Sequence, residues 1–366
     1  MTPMIPIARP QLGLEEEAAV IEVMRSGILA QGPRVKAFEE AFAQAMGARF
    51  AVATSNGTTA LYLALRASGV GPGDEVITTP LTFIATANAI MQLGACPIFV
   101  DVDDSLSLDP VQAEAAITPR TRAIVPVHLH GNLADLEAFA TLAQRHGVAL
   151  VQDACQAVGA RIGGRPLGAF GTAAYSFYAT KNLTTGEGGM VITNDPEVAR
   201  VCRSLRHQAY GVEPYLHDTV AFNYRMSEIQ AAIGLAQLQR LEAMTNRRRQ
   251  TANLYNTRIA ANGFIRPAVR LDARHVYHQY TLRVTAGSPH DRGTVRARLN
   301  ERGIATAVYY PIPVHQQPAY QEFAGVRCPV AEQAASDIFS IPVHSGLSDE
   351  ERERVIEAVN AVTAQR

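Results

Sequence analysis

Residues 173 to 189 read Ala-Ala-Tyr-Ser-Phe-Tyr-Ala-Thr-Lys-Asn-Leu-Thr-Thr-Gly-Glu-Gly-Gly, an apolar and aromatic run followed by a lysine and a segment rich in glycine and threonine. The run over 173–178 predicts a buried strand, which would deliver Lys181 to the floor of a cleft with the following loop wrapped around it. An amine in that position suits a Schiff base with an aldehyde cofactor. On these residues alone, a surface lysine in a loop between two strands is an equally good interpretation.

Short, continuously apolar runs recur around this stretch and alternate with helix-like segments. The predicted strands are 50–54, 75–79, 97–102, 123–127, 149–153, 173–178 and 190–193. The helices predicted before and between them are 14–24, 32–46, 58–68, 85–93, 109–116 and 133–146. Continuous rather than alternating apolar strands indicate the α/β class, with a mostly parallel sheet covered by helices on both faces. Such sheets bind ligands at the carboxyl ends of their strands, so polar motifs directly after these runs are candidate site residues.

The length of 366 residues predicts two domains. Residues 1–245, with an N-terminal extension over 1–30, would form a large α/β domain that contains the sheet. Residues 246–366 would form a smaller α+β domain. Its predicted elements are a strand at 276–284, a helix at 291–302, a strand at 304–310 and a helix at 348–362 capped by Ser348.

A long helix is predicted near the boundary between the two domains. Residues 226–244 carry a wide apolar stripe, and the basic run 246–250 continues the same helical pattern. We expect this basic run to be a solvated helix face.

Composition argues against several classes of function. Hydrophobic residues make up 47% of the chain, and the formal net charge of −1 gives no electrostatic reason to expect nucleic acid or an anionic membrane as a partner. The four cysteines form no Cys-x-x-Cys pair, and His128 and His130 have no third ligand nearby in sequence, so no metal site is expected. No signal peptide or membrane-spanning run is recognisable, and we expect a cytoplasmic protein.

Three further motifs follow predicted strands. The segment Ser55-Asn-Gly-Thr58 opens a helix whose free N–H groups would attract an anion, although an ordinary N-cap explains the same residues. Asp153 ends a very apolar strand, and a protonated pyridine nitrogen would be a suitable partner for its buried carboxylate; capping of the next turn is the alternative. Gln156, one turn further, could donate to a ring hydroxyl. Phe83 could stack on a planar ring or pack in the core.

Together these motifs resemble the DegT/StrS family of sugar-nucleotide aminotransferases, which are fold-type I pyridoxal-phosphate enzymes. The resemblance extends over about residues 5 to 360. The segments that carry it are Ser55-Asn-Gly-Thr58, Asp153-Ala-Cys-Gln156, residues 176–189, Asn223-Tyr-Arg-Met-Ser-Glu-Ile-Gln-Ala-Ala-Ile-Gly234 and Ile341-Pro-Val-His-Ser-Gly-Leu-Ser348. The fold and the cofactor implied by the resemblance are the fold-type I transferase fold, with its smaller C-terminal domain, and pyridoxal 5'-phosphate.

The resemblance also implies a role for each matching residue. Lys181 would be the catalytic residue that forms the Schiff base and moves the proton. Asn223 would reach the phosphate in the neighbouring subunit, which implies a homodimer with shared active sites, and His315 would lie near the sugar substrate. The other implied cofactor contacts are Asp153 at the pyridine nitrogen, Gln156 at the ring hydroxyl, Phe83 on the ring face, and Gly57, Thr58 and Ser176 at the phosphate.

The implied activity is ping-pong transfer of an amino group, with L-glutamate as the expected donor and a keto-sugar nucleotide as the acceptor, in deoxyaminosugar and polysaccharide biosynthesis. Family members that dehydrate carry histidine in place of the lysine, so Lys181 favours transamination. The sequence Thr184-Thr-Gly-Glu-Gly-Gly189 resembles members that aminate C-4, here of a 4-keto-6-deoxy hexose. The alternatives are amination at C-3, where a Gly-Asp-Gly-Gly version is usual, and a regulatory protein that binds the cofactor without turnover. A nicotinamide-dependent oxidoreductase is disfavoured because the three-glycine fingerprint is missing.

Overall fold

The computed structural model describes residues 3–210 and 215–364. The helices among these residues are α1 (Leu14–Ser26), α2 (Pro33–Ala45), α3 (Gly57–Ala67), α4 (Ala85–Met91), α5 (Pro110–Ala115), α6 (Leu136–His146), α7 (Pro196–Arg206), α8 (Glu228–Arg258), α9 (Arg292–Glu301), α10 (Pro329–Asp337) and α11 (Asp349–Ala364). The strands are β1 (Phe50–Thr54), β2 (Glu75–Thr78), β3 (Cys96–Phe99), β4 (Thr121–Val125), β5 (Ala149–Asp153), β6 (Arg161–Ile162), β7 (Arg165–Pro166), β8 (Thr172–Ser176), β9 (Gly189–Thr193), β10 (Phe264–Ile265), β11 (Ala273–Arg274), β12 (Tyr280–Val284) and β13 (Ile338–Ile341).

A seven-stranded sheet in the order β1-β9-β8-β5-β4-β2-β3 is the centre of the fold. From β8 to β3 all neighbours pair in parallel, and β9 runs antiparallel to both β1 and β8. The predicted α/β class with a mostly parallel sheet is therefore confirmed. Each run that was predicted as a strand in this part of the chain forms a strand of the sheet, with ends shifted by up to three residues.

Helices cover both faces of the sheet, which is why its strands are mostly apolar and do not alternate with polar residues. On β8, Ala173 and Tyr175 belong to one buried cluster, whereas Ala174 belongs to a cluster on the opposite face. Phe42 of α2 packs edge-on against Tyr175, with ring centroids 5.1 Å apart. Because successive side chains of a strand point to opposite faces, a strand buried on both sides has no polar alternation.

The C-terminal elements form a separate three-stranded sheet, β10-β12-β13, that packs with α9 and α11. The N-terminal segment joins this part of the molecule, because Ile5 is buried in the same cluster and its backbone bridges that of Ile304. The predicted division at residue 245 falls inside α8, whose helix is continuous from Glu228 to Arg258. The two-domain division stays a prediction.

Two local expectations are wrong. Among the described residues, the segment predicted as a strand over 304–310 forms only single bridges, from Ile304 to Ile5 and from Ala307 to Ser340. The backbone changes partner within three residues, so no ladder builds. The basic run is not a fully solvated face either, because Arg248 is buried and its Nη1 donates to the carbonyl of Tyr277 at 3.1 Å.

The capped terminal helix is confirmed. Ser348 precedes α11, its Oγ accepts from the N–H of Glu351, and the Glu351 carboxylate accepts from the N–H of Ser348. Of the helices in the described residues, none combines the length and the apolar character that crossing a membrane requires.

Candidate active site

A cleft of about 920 Å³ opens at the carboxyl ends of the parallel strands. Residues that directly follow or end β1, β5 and β8 contribute to its wall, as expected for a parallel sheet. The predicted site residues that line the cleft are Gly57, Thr58, Phe83, Asp153, Gln156, Ser176 and Lys181. The structure therefore brings together seven side chains or backbone positions that lie as much as 124 residues apart in the chain, from Gly57 to Lys181.

The first turn of α3 forms one end of the cleft. The Asn56 side chain caps this helix by accepting from the N–H of Thr59 at 2.9 Å. Helix geometry leaves the N–H groups of Gly57 and Thr58 without an intrahelical acceptor, and both residues line the cleft. Both interpretations of this motif thus hold together: Asn56 is an ordinary N-cap, and the next two residues offer donors and a helix dipole to an anion.

Gly57 lies where the helix meets the end of β8. A Cβ atom added to Gly57 would lie 2.6 Å from Cβ of Ser176 and 3.1 Å from Sγ of Cys155. Since carbon atoms in contact normally stay about 3.5–4.0 Å apart, only glycine allows this approach. The result is a compact cradle, in which the free N–H groups of α3 and the side chain of Ser176 meet at one end of the cleft.

Asp153 ends β5 and is held by groups on three sides. Its Oδ2 accepts from the hydroxyl of Thr86 at 2.7 Å, and its Oδ1 accepts from the N–H of Cys155 at 3.1 Å. Its backbone N–H donates to the carbonyl of Pro126 at 3.0 Å, which fixes the residue in the sheet. The side chain is 5% exposed and faces the cleft, so a buried carboxylate is presented there with lone pairs still free for a cationic partner.

Gln156 connects the cleft to two neighbouring segments. Its Oε1 accepts from the N–H of His130 at 2.7 Å, and its Nε2 donates to the hydroxyl of Tyr310 at 3.3 Å. Burial raises the pKa of Tyr310, so its hydroxyl stays protonated at neutral pH. The ring of Tyr310 lies 5.8 Å from that of Phe83, which is itself half-exposed in the cleft. A flat apolar wall with one amide and one hydroxyl at its edge results.

The loop that carries Lys181 is fixed by its own side chains. The backbone N–H of Lys181 donates to the carbonyl of Tyr178 at 2.9 Å. The hydroxyl of Thr184 donates to the carbonyl of Phe177 at 3.1 Å, and Asn182 Nδ2 donates to the carbonyl of Val276 at 3.0 Å. These contacts explain the polar residues around the lysine, because they satisfy a loop that would otherwise bury unpaired backbone groups.

Burial lowers the pKa of Lys181, although the neighbouring Cys155 and Asp153 act in the opposite direction. A lowered lysine pKa increases the share of neutral amine, which is the nucleophilic and proton-accepting form. Burial and the Asp153 carboxylate raise the pKa of Cys155 well above its usual value, so this thiol stays protonated. That state suits the packing role expected for Cys155.

Two of the predicted site residues do not line the cleft. Asn223 is exposed, and its Oδ1 accepts from the N–H of Arg225 at 3.2 Å. His315 is fully buried beside Phe99, with its Nε2 3.3 Å from a carboxylate oxygen of Glu332. His315 does not line the cleft of this chain, and its substrate role stays a prediction.

His128 and His130, which were considered as metal ligands, form hydrogen bonds within the protein instead. His128 Nε2 lies 3.3 Å from Oε1 of Gln152, and its Nδ1 accepts from the N–H of Ala134 at 3.3 Å. The ring of His130 lies against the carbonyl of Tyr309, 2.9 Å away. Over residues 3–210 and 215–364, no group of three or more histidine, cysteine or acidic residues is arranged to hold a metal ion.

Sequence reasoning missed several residues of the cleft. They are Thr82, Thr86, Tyr178, Glu187, His278, Tyr309 and Tyr310. Tyr178 and Glu187 lie in the quoted stretch 173–189, but their side-chain directions do not follow from spacing. His278 and Thr86 carry no local signal, since the first is brought in from the C-terminal part of the chain and the second lies inside a helix.

Comparison with known proteins identifies the family to which this fold and this cleft belong. The model of the family described as the DegT/DnrJ/EryC1/StrS aminotransferase family matches residues 10–360. A GDP-perosamine synthase of Caulobacter vibrioides is 42% identical over 368 residues, covering 98% of each chain. A UDP-N-acetyl-3-dehydro-alpha-D-glucosamine 3-aminotransferase of Acidithiobacillus ferrooxidans is 42% identical over 327 residues, covering 88% of this chain and 87% of the relative.

A solved structure extends the similarity to the whole backbone. DesV of S. venezuelae, crystallised in complex with a ketimine intermediate, is 40% identical and covers 100% of both chains with a TM-score of 0.95. Identity at this level over the full length indicates a shared arrangement of the sheet and the cleft.

Proposed function

Since the chain belongs to the DegT/DnrJ/EryC1/StrS aminotransferase family and is a pyridoxal-phosphate-dependent sugar aminotransferase, we propose that it moves an amino group from L-glutamate to C-4 of a 4-keto-6-deoxy hexose carried on a nucleotide. The observation that carries the proposal is the meeting of three groups in one cleft: the α3 anion cradle, the Asp153 carboxylate and the Lys181 amine.

When bound, pyridoxal phosphate supplies an aldehyde that accepts amino groups and a pyridine ring that takes up electrons. The cradle at Gly57, Thr58 and Ser176 would hold its phosphate. Asp153 would hold the proton of the ring nitrogen, Gln156 would donate to the ring hydroxyl, and Phe83 would cover one ring face. These roles match the donor, acceptor and apolar character that each position offers to the cleft.

Lys181 would have two tasks. Its amine would attach the cofactor between reactions, and once released by an incoming amine it would carry a proton from the donor carbon to the cofactor side and back. An amine whose pKa is lowered by desolvation suits both tasks, because each begins from the neutral form.

The cleft of one chain is short of positive charge for its proposed ligands. Among the cleft residues that the structure describes, Lys181 is the only lysine or arginine. The cofactor phosphate and a nucleotide diphosphate carry several negative charges, so further donors would come from a second subunit. Asn223 would be one of them, and the exposed apolar side chains beside it, Val220 and Phe222, suit contact with a partner copy.

Position C-4 is proposed from the loop that follows the lysine. Its Glu187 is exposed and lines the cleft, and the Gln230 side chain donates to the Glu187 carbonyl at 2.8 Å. The loop is thereby held beside the cleft, where its acidic residue would help to orient the sugar. The Thr-Thr-Gly-Glu-Gly-Gly sequence resembles C-4 aminating members of the family.

Amination at C-3 is the second candidate. The 3-aminotransferase relative shares 42% identity with this chain, the same value as the perosamine synthase. The two candidates differ in the acceptor: a 4-keto-6-deoxy sugar for the first and a 3-keto sugar for the second.

The test is a two-stage reaction with the purified holoenzyme. Glutamate alone should shift the cofactor absorbance from the aldehyde to the amine form, and a panel of GDP-, UDP- and dTDP-linked 4-keto and 3-keto sugars should restore it only for the true acceptor. The position of nitrogen in the product is then read by NMR, with the K181A variant as the inactive control. Restoration by 3-keto sugars alone would replace C-4 by C-3. No absorbance change with glutamate would refute glutamate as donor, and failure with every amino acid and acceptor would favour the regulatory protein.

A further inference from the structure

Two threonine hydroxyls form a short hydrogen-bonded chain that ends on the candidate ring-nitrogen partner. The hydroxyl oxygens of Thr82 and Thr86 are 2.9 Å apart, and that of Thr86 is 2.7 Å from Oδ2 of Asp153. All three side chains are at most 5% exposed. Buried hydroxyls are hydrogen-bonded to fixed partners, so each hydroxyl proton in this chain has a single acceptor.

The direction of the chain follows from counting protons. A carboxylate only accepts, so the Thr86 hydroxyl donates its one proton to Asp153. The oxygen of Thr86 is then left as an acceptor, and the proton between the two threonines comes from Thr82. Every donation therefore runs toward the carboxylate, in the order Thr82, Thr86, Asp153.

The same chain fixes the rotation of the carboxylate. Thr86 holds Oδ2, while the backbone N–H of Cys155 holds Oδ1 at 3.1 Å. With one protein donor on each oxygen, the plane of the carboxylate cannot turn without loss of a bond. The remaining lone pairs stay directed into the cleft, where Thr82, Thr86 and Asp153 all contribute to the wall.

We propose that Thr86, supported by Thr82, is a positioning residue that orients the Asp153 carboxylate toward the nitrogen of the bound cofactor. The proposal rests on the proposed function only in that the ring nitrogen is the partner of Asp153. The segment from Thr82 to Thr86 thereby has two roles, because Phe83, within it, faces the same cleft.

The test compares isosteric substitutions. Thr86→Val keeps the shape and removes the hydroxyl, whereas Thr86→Ser keeps the hydroxyl. Thr78→Val is the matched control, since Thr78 of β2 is also buried and its hydroxyl donates to the carbonyl of Val125 at 2.9 Å instead of to Asp153. The two readouts are the dissociation constant of pyridoxal phosphate, from titration of the apoprotein, and the single-turnover rate of the absorbance change with glutamate.

Loss of one hydrogen bond to a charged group corresponds to roughly 10- to 100-fold in an equilibrium or rate constant. We expect Thr86→Val to lose that much in both readouts, Thr86→Ser to stay within about threefold of the wild type, and Thr78→Val to bind the cofactor like the wild type. Thr82→Val should also weaken cofactor binding and slow the single turnover, but by less than Thr86→Val. If the Thr86→Val protein does not fold, the comparison of Thr82→Val with Thr78→Val tests the proposal instead.

Equal cofactor affinity in Thr86→Val and Thr78→Val would overturn the proposal, as would a Thr86→Ser protein as impaired as Thr86→Val. If the wild type binds the cofactor but does not react with glutamate, the proposed donor is wrong. The affinity comparison would still decide the role of Thr86.

Discussion

Gly57→Ala tests whether the cradle at the start of α3 is the anion site. The new methyl group would lie 2.6 Å from Cβ of Ser176, about 1 Å inside the normal contact distance. The methyl group cannot shift toward Cys155 either, because the Sγ of Cys155 lies only 3.1 Å away. Either the first turn of α3 or the end of β8 must therefore move by about 1 Å.

A displacement of that size has a defined effect on binding. A hydrogen bond from the Thr58 N–H that begins near 2.9 Å would lengthen beyond the useful range of about 3.2 Å. Losing one such bond to a charged group costs about 1.5–3 kcal/mol, which is roughly 10- to 100-fold in the dissociation constant of pyridoxal phosphate. Overpacking adds about 1–3 kcal/mol of destabilisation, seen as a drop of a few degrees in Tm.

The assay is a fluorescence titration of the apoprotein with pyridoxal phosphate, together with thermal unfolding. Gly325→Ala is the matched control, because nothing lies within 4 Å of its added Cβ. We expect the control to match the wild type in both measurements. A Gly57→Ala protein that binds pyridoxal phosphate within twofold of the wild type would refute the assignment of the cradle to the phosphate.

Three further predictions concern charge, packing and the substrate. Burial lowers the pKa of Lys181 in the folded apoprotein below its ordinary value of 10.5. At a pH below this lowered pKa the charged amine destabilises the folded state, and the destabilisation disappears as the pH rises toward 10.5. The Lys181→Met apoprotein should therefore have a higher Tm than the wild type at pH 7, with a gap that narrows toward pH 10; a constant or reversed gap contradicts this sign. The buried Glu228 accepts from the N–H of Gly32 on Oε1 and from the N–H of Arg34 on Oε2, at 2.8 Å each. Glu228→Gln replaces one of these acceptor oxygens by an NH2 donor, so it should lower the free energy of unfolding in urea by about 2–4 kcal/mol, and a loss under 0.5 kcal/mol would disprove the anchoring role. His315→Gln should lower Tm but leave KM for the sugar nucleotide within twofold, because His315 does not line the cleft; a tenfold higher KM at unchanged Tm would restore its substrate role.

The sheet and much of the cleft were predictable because their signals are local. A strand buried on both faces, such as β8, lacks the alternation of apolar and polar residues, and a motif that follows a parallel strand lies at the ligand-binding edge. Gly57, Asp153 and Lys181 each satisfy that rule, and all three line the cleft.

What failed depends on tertiary contacts that no local pattern encodes. The basic run of α8 looks solvated in sequence, yet Arg248 is covered by the segment around Tyr277 and donates to its carbonyl. Thr86 was missed for the same reason, since its distance to Asp153 is a product of the fold. His315 is a different case: its ring lies beside Phe99 and Glu332 and does not line the cleft, so its substrate role stays a prediction.

The attachment of the cofactor to Lys181 is the central claim, and borohydride reduction followed by peptide mass mapping tests it most directly. Reduction of the holoenzyme should fix one pyridoxyl group on the peptide that contains Lys181, and the Lys181→Ala protein should carry none. A pyridoxyl group on another lysine, or none on a wild-type protein that is saturated with the cofactor, would contradict the account.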